Sequence, residues 1–269
     1  MRRYKLAPLC AVLLLAVVAG GCSTFKALKA RDQLNRGVEA FRNAQFQEAI
    51  EHFKSAVELD PSLINARLYL ATAYAQQYVP GGDSQENLKT GQQAIDAFQS
   101  VLKMDPKNTT ALASIGQIYY SMKNFDEAKD FQRRRIEVEP NNPEPYYWIG
   151  VIDWAQAFQA DGKLRKDLNL MNPDKRGNLP PLPEKYRAQL EEANSKLVSE
   201  GIDALTKSLA LKPNDFNSMA YLNLLYRQKA DLEKSKNARE EDLKAADNWQ
   251  QKAMELRRAE PPKPASQGS

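Results

Sequence analysis

Few side chains in this sequence could act as a nucleophile, a general base or a metal ligand. The 269-residue chain has one histidine, His52, and two cysteines, Cys10 and Cys22. Nucleophilic catalysis needs a base beside the nucleophile, and a metal site needs several ligands at matched spacing. His52 is predicted on an exposed helix face beside Glu51, and acidic pairs such as Glu191-Glu192 lie in charge runs typical of solvated helix faces. We therefore expect a protein that is not an enzyme and has no metal and no cofactor.

Cys22 is the one residue whose surroundings indicate a specific reaction. Basic residues Arg2, Arg3 and Lys5 precede an apolar run of about fifteen residues that ends before it. A helix that spans a bilayer needs roughly twenty apolar residues, so the run predicts a signal peptide over 1–21 rather than a permanent anchor.

The end of this run, Ala19-Gly20-Gly21-Cys22, resembles the lipobox of bacterial lipoproteins. The resemblance implies cleavage before Cys22, which would carry diacylglycerol on its sulfur and further acyl chains such as palmitate. Ser23 and Thr24 follow without an aspartate, which favours the outer membrane by analogy with enterobacterial sorting. The predicted location is thus the bacterial cell envelope, facing the periplasm. An ordinary cleavage site of small residues is the alternative.

The charge balance changes once the leader is set aside. The whole chain has 38 basic and 34 acidic residues, and the three basic residues of the leader leave 35 against 34. A nucleic-acid partner therefore has no electrostatic support. The mature chain would also have no free thiol, and hence no disulfide.

The mature chain is dominated by a repeated pattern of small residues and prolines. Twelve residues before each of four prolines stands Ala or Gly, and ten residues after each stands another small or compact residue. A bulky apolar residue follows the first small residue by four in three repeats. These positions are Ala49, Ala94, Ala128 and Gly201; Pro61, Pro106, Pro140 and Pro213; Ala71, Gly116, Gly150 and Asn223; and Phe53, Phe98 and Leu205.

This pattern resembles the tetratricopeptide repeat (TPR), in which pairs of antiparallel helices stack on one another. The resemblance implies an all-α, right-handed superhelical solenoid of about five helix pairs, and the small residues let helices approach closely. We predict a linker at 22–29, a TPR domain at 30–260 and a disordered tail at 261–269. The expected repeats are 30–63, 64–108, 109–142, 143–215 and 216–260.

Three repeats are longer than the standard period, and each insertion falls between the first and second helix. The longest, in repeat four, is predicted to begin with a loop at Asp161-Gly162 and to end with a helix from Glu184 to Leu211. Its segment Pro180-Pro181-Leu182-Pro183 reads as a spacer, with a polyproline ligand as the alternative. In repeat three, Arg133-Arg134-Arg135 is predicted as a solvated helix face, with an anion site as the alternative. The last helix is expected over about Ala238 to Arg258.

In TPR proteins the first helices line a concave groove that binds ligands, so exposed residues on these helices are the predicted binding site. Core packing is an equal alternative for the aromatic residues Tyr147 and Trp154. Leu34, Val38, Leu68 and Thr72 occupy the positions of the carboxylate clamp of chaperone-binding members, which disfavours that ligand. The predicted groove residues are Asn65, Tyr69, Gln117, Tyr120, Tyr147, Trp154, Tyr221 and Arg227.

The sequence thus predicts an exported, lipid-anchored scaffold that binds another envelope protein. Similar architecture occurs in pilotins and in lipoproteins of the outer-membrane assembly machinery. A periplasmic carrier of a peptide, glycan or small ligand in the aromatic groove is the alternative.

Overall fold

The computed structural model describes residues 7–175 and 177–259, with side chains from Thr24 onward. These residues form helices and turns without a strand and divide into two compact units, one ending at Met122 and one beginning at Lys123. The first unit contains five helices: α1 (Ala7–Arg42), α2 (Phe46–Leu59), α3 (Ile64–Gln77), α4 (Gln85–Met104) and α5 (Thr109–Ser121). Helices that follow one another within this unit pack together, as stacked hairpins require.

The second unit contains the other five helices: α6 (Phe125–Val138), α7 (Pro143–Asp167), α8 (Glu184–Leu211), α9 (Phe216–Leu232) and α10 (Lys236–Ala259). Here too each helix packs on the next, and α7 also contacts α9. The predicted all-α class of helix pairs is confirmed, and α8 has the bounds predicted for it. The helix expected over Ala238 to Arg258 is α10.

The turns explain why the chain folds back at these points. Each landmark proline directly follows the C-cap residue of a helix, where its missing N–H and fixed backbone angle prevent the helix from continuing. After Pro106, Pro140 and Pro213 a side-chain cap starts the next helix, whereas α3 has none. Asn108 Oδ1 accepts from Ala111 N at 3.0 Å, and Asp215 Oδ2 accepts from Ser218 N at 3.0 Å.

The small residues of the repeat lie where helices touch. Ala49, Ala94 and Ala128 are fully buried, as are Phe53 and Leu205. A Cβ added at Gly37 of α1 would lie 2.4 Å from the Phe53 ring, and one added at Gly150 of α7 would lie 2.4 Å from Leu205 Cγ. Each glycine therefore accommodates the large residue of its partner helix, as the spacing predicted.

Replacing Gly150 with alanine is expected to destabilise the second unit, although alanine favours helices. Overpacking a core costs about 1–3 kcal/mol, which exceeds the helix-propensity gain of roughly 1 kcal/mol. Gly162, in the same helix, has no atom within 4 Å of its added Cβ, so Gly162→Ala should stabilise instead. Urea unfolding of the two variants measures whether each change lowers or raises the free energy of unfolding. Equal stabilisation by both alanines would show that the Gly150–Leu205 contact is not tight.

Two predicted boundaries are wrong. Asp161-Gly162 does not begin a loop, because α7 continues to Asp167 and the loop of repeat four spans residues 168–183. Asp161 is buried and accepts from Arg165 Nε at 2.8 Å, one helical turn later, which stabilises the extra turns. The expected linker at 22–29 is part of α1, because no proline interrupts the helix between Cys22 and Arg42.

The arginine run of α6 is also not a uniformly solvated face. Arg135 is 4% exposed and binds Glu139 and Glu144, whereas Arg133 is half-exposed and binds Glu200 at 2.7 Å. Beside them, Lys129 Nζ lies 2.6 Å from Asp153 of α7 and 3.1 Å from Glu200 of α8. Gln132, four residues after Ala128 where three other repeats have a bulky apolar residue, is buried and accepts a hydrogen bond from Arg135.

Candidate functional site

The aromatic residues predicted on α7 and α9 lie together in the second unit. The ring of Tyr221 packs edge-on against Tyr147 at a centroid distance of 5.8 Å and against Trp154 at 5.3 Å. Trp154 also stacks on Phe158 at 5.3 Å, and Phe158 remains 46% exposed. We call Tyr147, Trp154, Phe158 and Tyr221 the aromatic surface. Tyr147 and Trp154 are half-buried, so packing and exposure are combined in the same residues.

A small cavity lies at the Phe158 end of the aromatic surface. Its volume is about 160 Å³, close to the roughly 150 Å³ that accepts a benzene ring in a protein core. Its apolar part is formed by Trp154, Phe158, Leu179, Leu224 and Leu243. Polar residues complete it: Asp161, Asn178, Arg227, Gln228, Asp231 and Arg239. The cavity therefore suits one planar side chain with a polar end.

The insertion loop, residues 168–183, forms one wall of this cavity, and arginines from three helices hold it in place. Arg165 of α7 donates to Pro180 O at 2.6 Å, and Arg239 of α10 donates to Leu179 O at 3.0 Å. Arg227 of α9 donates to Asn178 Oδ1. Leu182 is buried and Pro183 precedes α8, so the proline segment is the predicted spacer, packed on its own chain.

Two buried carboxyl groups lie beside the cavity and share Arg165. Arg165 is fully buried, and its Nη2 lies 2.7 Å from Asp231 Oδ2 while Nε bonds Asp161. Burial raises the pKa of Asp231 to about 6, and the nearby Arg165 and Arg239 oppose this shift. Burial also raises the pKa of Asp161. The guanidinium therefore holds two carboxyl groups that are costly to ionise in this position.

Gln228 contributes a buried acceptor to the cavity wall. It is 8% exposed, and its Nε2 donates to Trp154 O at 3.3 Å, which orients the amide because a carbonyl only accepts. Its Oε1 has no hydrogen-bond partner among the described residues. A buried polar group normally has a partner, so this oxygen favours a ligand that donates a hydrogen bond.

Four other predicted groove residues lie in the first unit and not with the aromatic surface. Asn65 and Tyr69 of α3 and Gln117 and Tyr120 of α5 belong to the first unit, where Tyr69 stacks on Phe53 at 5.5 Å. Asn65 and Gln117 are exposed and Tyr120 is half-buried.

Arg227 differs from the predicted groove residue. Besides Asn178, it binds Asn223 at 3.0 Å, Asp247 at 2.7 Å and Gln250 at 3.1 Å. These bonds use its donors within the chain, so Arg227 supports the insertion loop.

His52 is half-buried and hydrogen-bonded to Gln33 at 2.7 Å, which differs from the exposed position expected for it. Across residues 7–175 and 177–259, no three His, Cys, Asp or Glu side chains are arranged to hold a metal ion. No helix in the same residues is long and apolar enough to cross a bilayer. Residues 1–6, the side chains of the rest of the leader and of Cys22, and the tail from residue 260 lie outside what the structure describes.

Sequence reasoning missed Phe158, Gln228 and the insertion loop as parts of this site. Phe158 follows Trp154 by four residues, so helical spacing could have placed it on the same face. The loop has no such signal, because only tertiary contacts bring residues 177–180 to α9.

Comparisons with known proteins define the family. Models described as tetratricopeptide repeat match residues 34–96 and 89–148. Residues 34–148 therefore consist of tetratricopeptide repeats, as the spacing of their small residues and prolines predicted.

Curated relatives share only part of their length with it. The Hsp70-Hsp90 organizing protein of Triticum aestivum is 27% identical over 115 residues, which is 43% of this chain and 18% of the relative. The anaphase-promoting complex subunit CDC16 of Saccharomyces cerevisiae is 29% identical over 174 residues, 62% of this chain and 19% of that protein. The chain thus spans about a fifth of the length of these relatives.

Solved structures share the fold at low sequence identity. MamA from Desulfovibrio magneticus has a TM-score of 0.56 and 19% identity, covering 86% of this chain and 97% of that one. YrrB, described as a TPR protein with an unusual peptide-binding site, has a TM-score of 0.51 and 14% identity, covering 84% and 90%. Identities this low establish the fold alone.

Proposed function

We propose that this protein is a lipid-anchored scaffold of the bacterial cell envelope that binds a segment of another envelope protein on its aromatic surface. The observation that carries the binding part is the continuous set of rings on α7 and α9, which ends at the cavity that the insertion loop helps to line. Aromatic residues dominate binding energy at protein interfaces because they combine large apolar area with few rotatable bonds. An aromatic partner side chain with a donor group fits the cavity, since Gln228 Oε1 lacks a donor.

The scaffold role is supported by the fold, and the envelope location is supported by the sequence. TPR relatives include a chaperone organizing protein and a subunit of a large complex, as their names state. The lipobox-like motif before Cys22 supports export and lipid attachment. Several acyl chains on one residue would hold the scaffold firmly at the membrane. The proposed role is therefore to help assemble an envelope complex, as pilotins or outer-membrane assembly lipoproteins do.

A glycan carrier is the less supported alternative. The cavity does bring amides and carboxyl groups together, as a sugar site would need. However, Arg165 and Arg227 already engage Asp161, Asp231 and Asn178, and about 160 Å³ suits a single ring. Thermal shifts with cell-wall fragments distinguish the two functions, because the scaffold should show none.

Phe158 and Met254 provide a matched test of the binding surface, because each is 46% exposed and both lie in the second unit. A photo-crosslinking residue at 158, introduced in cells, is expected to capture an envelope protein that one at 254 does not capture. With that purified protein, Phe158→Ala should weaken binding at least roughly tenfold, as expected of a central aromatic residue. Met254→Ala should leave the affinity unchanged.

Circular dichroism of both variants checks that they remain folded. Equal crosslinking at 158 and 254, or equal affinity of the two alanine variants, would reject the aromatic surface as the binding site. Recovery of no protein at either position would count against the scaffold itself.

A further inference from the structure

The first side chains described in α1 form an exposed apolar patch. Phe25 is 68% exposed and Leu28 is 67% exposed, which are high values for large apolar residues. Three residues apart in a helix, they share one face. Ala30, in contrast, is fully buried, and Leu34 and Val38 pack against the core that contains Phe53. The patch therefore faces away from the helices of its own unit.

Positive charge surrounds this patch. Lys26, Lys29 and Arg31 form no ion pair with any residue that the structure describes, whereas Asp32 pairs with Arg36 at 3.0 Å. Residues 24–36 thus carry four basic groups and one acidic group. An apolar patch ringed by unpaired basic groups is typical of segments that lie on anionic membrane surfaces.

We propose that residues 24–31 of α1 lie on an anionic lipid surface, with Phe25 and Leu28 inserted between headgroups. This inference rests on lipid attachment at Cys22, part of the function proposed above. At 1.5 Å per residue, Phe25 lies about 4.5 Å and Leu28 about 9 Å along the helix from Cys22. Both side chains therefore lie within about 10 Å of the residue that would carry the lipid, close enough to meet the same membrane interface.

The same geometry makes lipid the occupant of the patch. A protein partner at this position would have to compete with headgroups that the anchor holds next to Phe25. The long stems of Lys26, Lys29 and Arg31 allow their charged ends to reach phosphates while the apolar side chains insert. The membrane contact therefore uses the lipid and the helix face together.

Spin labelling of the lipidated protein tests this arrangement. Once the leader with Cys10 is removed and Cys22 is acylated, a new cysteine is the one free thiol. Phe25→Cys and Leu28→Cys are labelled in vesicles of phosphatidylcholine that contain the anionic lipid phosphatidylglycerol. Val79→Cys, exposed to 62% in the same unit, is the control.

Oxygen concentrates in the bilayer and a water-soluble nickel chelate stays outside it. The labels at 25 and 28 are therefore expected to collide several-fold more with oxygen than with the chelate, and the label at 79 is expected to collide more with the chelate. Combined Lys26→Gln, Lys29→Gln and Arg31→Gln changes should reduce this difference in anionic vesicles and leave it unchanged in pure phosphatidylcholine. Equal exposure of all three labels to nickel, with Cys22 shown to be acylated by mass spectrometry, would overturn the inference. An unmodified Cys22 that also takes the label would instead reject the lipid anchor.

Discussion

Replacing Arg165 with alanine is expected to lower the free energy of unfolding of the second unit by about 3–5 kcal/mol at pH 8, the usual cost of leaving buried charges unpaired. Arg165 is fully buried and is the shared partner of Asp161 and Asp231. Its loss also removes the hydrogen bond to Pro180 O that holds the insertion loop. Hydrogen exchange should therefore accelerate in residues 177–182.

The effect of Arg165→Ala should depend on pH. Because the pKa of Asp231 is about 6 in the folded protein, above its ordinary value, the folded state binds this proton more tightly than the unfolded chain. Asp231 thus makes the protein less stable as pH rises from about 4 to about 6. Without the guanidinium this pKa would rise further, so the cost of the change should grow above pH 6 and shrink at pH 5.

Urea unfolding at pH 5 and pH 8 measures this difference, with Lys166→Ala as the control because Lys166 is an exposed neighbour on the same helix. A pH-independent loss would mean that packing, and not the buried carboxyl groups, accounts for the effect.

Replacing Lys129 with methionine is expected to cost about 3 kcal/mol at pH 9, since it leaves Asp153 without its cation. Asp153 is fully buried, and burial raises its pKa to about 7 even though Lys129 lies 2.6 Å away. Below this pKa the carboxyl group is already protonated in the folded protein. The loss should therefore be much smaller at pH 5 than at pH 9.

A second change identifies the cause of that loss. Combining Lys129→Met with Asp153→Leu should restore most of the stability, because apolar pairs often replace buried ion pairs without loss. Arg133→Ala is the control, since Arg133 is half-exposed and surface pairs contribute about 1 kcal/mol or less. Chemical denaturation of the three variants checks these values. If the double variant were no more stable than Lys129→Met, the unpaired carboxylate would not be the source of the cost.

The helix pairs could be predicted because the residues that make the contacts between helices recur at a fixed spacing in the sequence. A fixed spacing places Ala94 and Ala128 where helices touch, and Gly150 faces Leu205 as the pattern requires. The bounds of α8 followed from the same period. The extra turns of α7 could not be predicted, because Asp161-Gly162 reads as a loop by composition. In the structure this segment is helical, with Asp161 paired to Arg165, which in turn pairs with Asp231 of α9.

The candidate site was predictable to a similar extent. Tyr147, Trp154 and Tyr221 share the exposed faces of first helices, so helical spacing predicted a common surface for them. The same spacing presents Arg227 as a ligand-binding cation, but its partners Asn178 and Asp247 come from the insertion loop and α10. Nothing in the local sequence indicates such distant partners. The cavity, which depends on them, was therefore absent from the prediction.

The insertion loop is held largely through its main chain, and this affects how the protein can evolve. Arg165 and Arg239 bind the carbonyl oxygens of Pro180 and Leu179, which any amino acid at those positions would supply. Other apolar residues at 179, which lines the cavity, should thus be tolerated among orthologues, whereas a deletion of one residue would move every carbonyl out of reach. Conservation of length without conservation of identity is the signature that this loop should leave in an alignment.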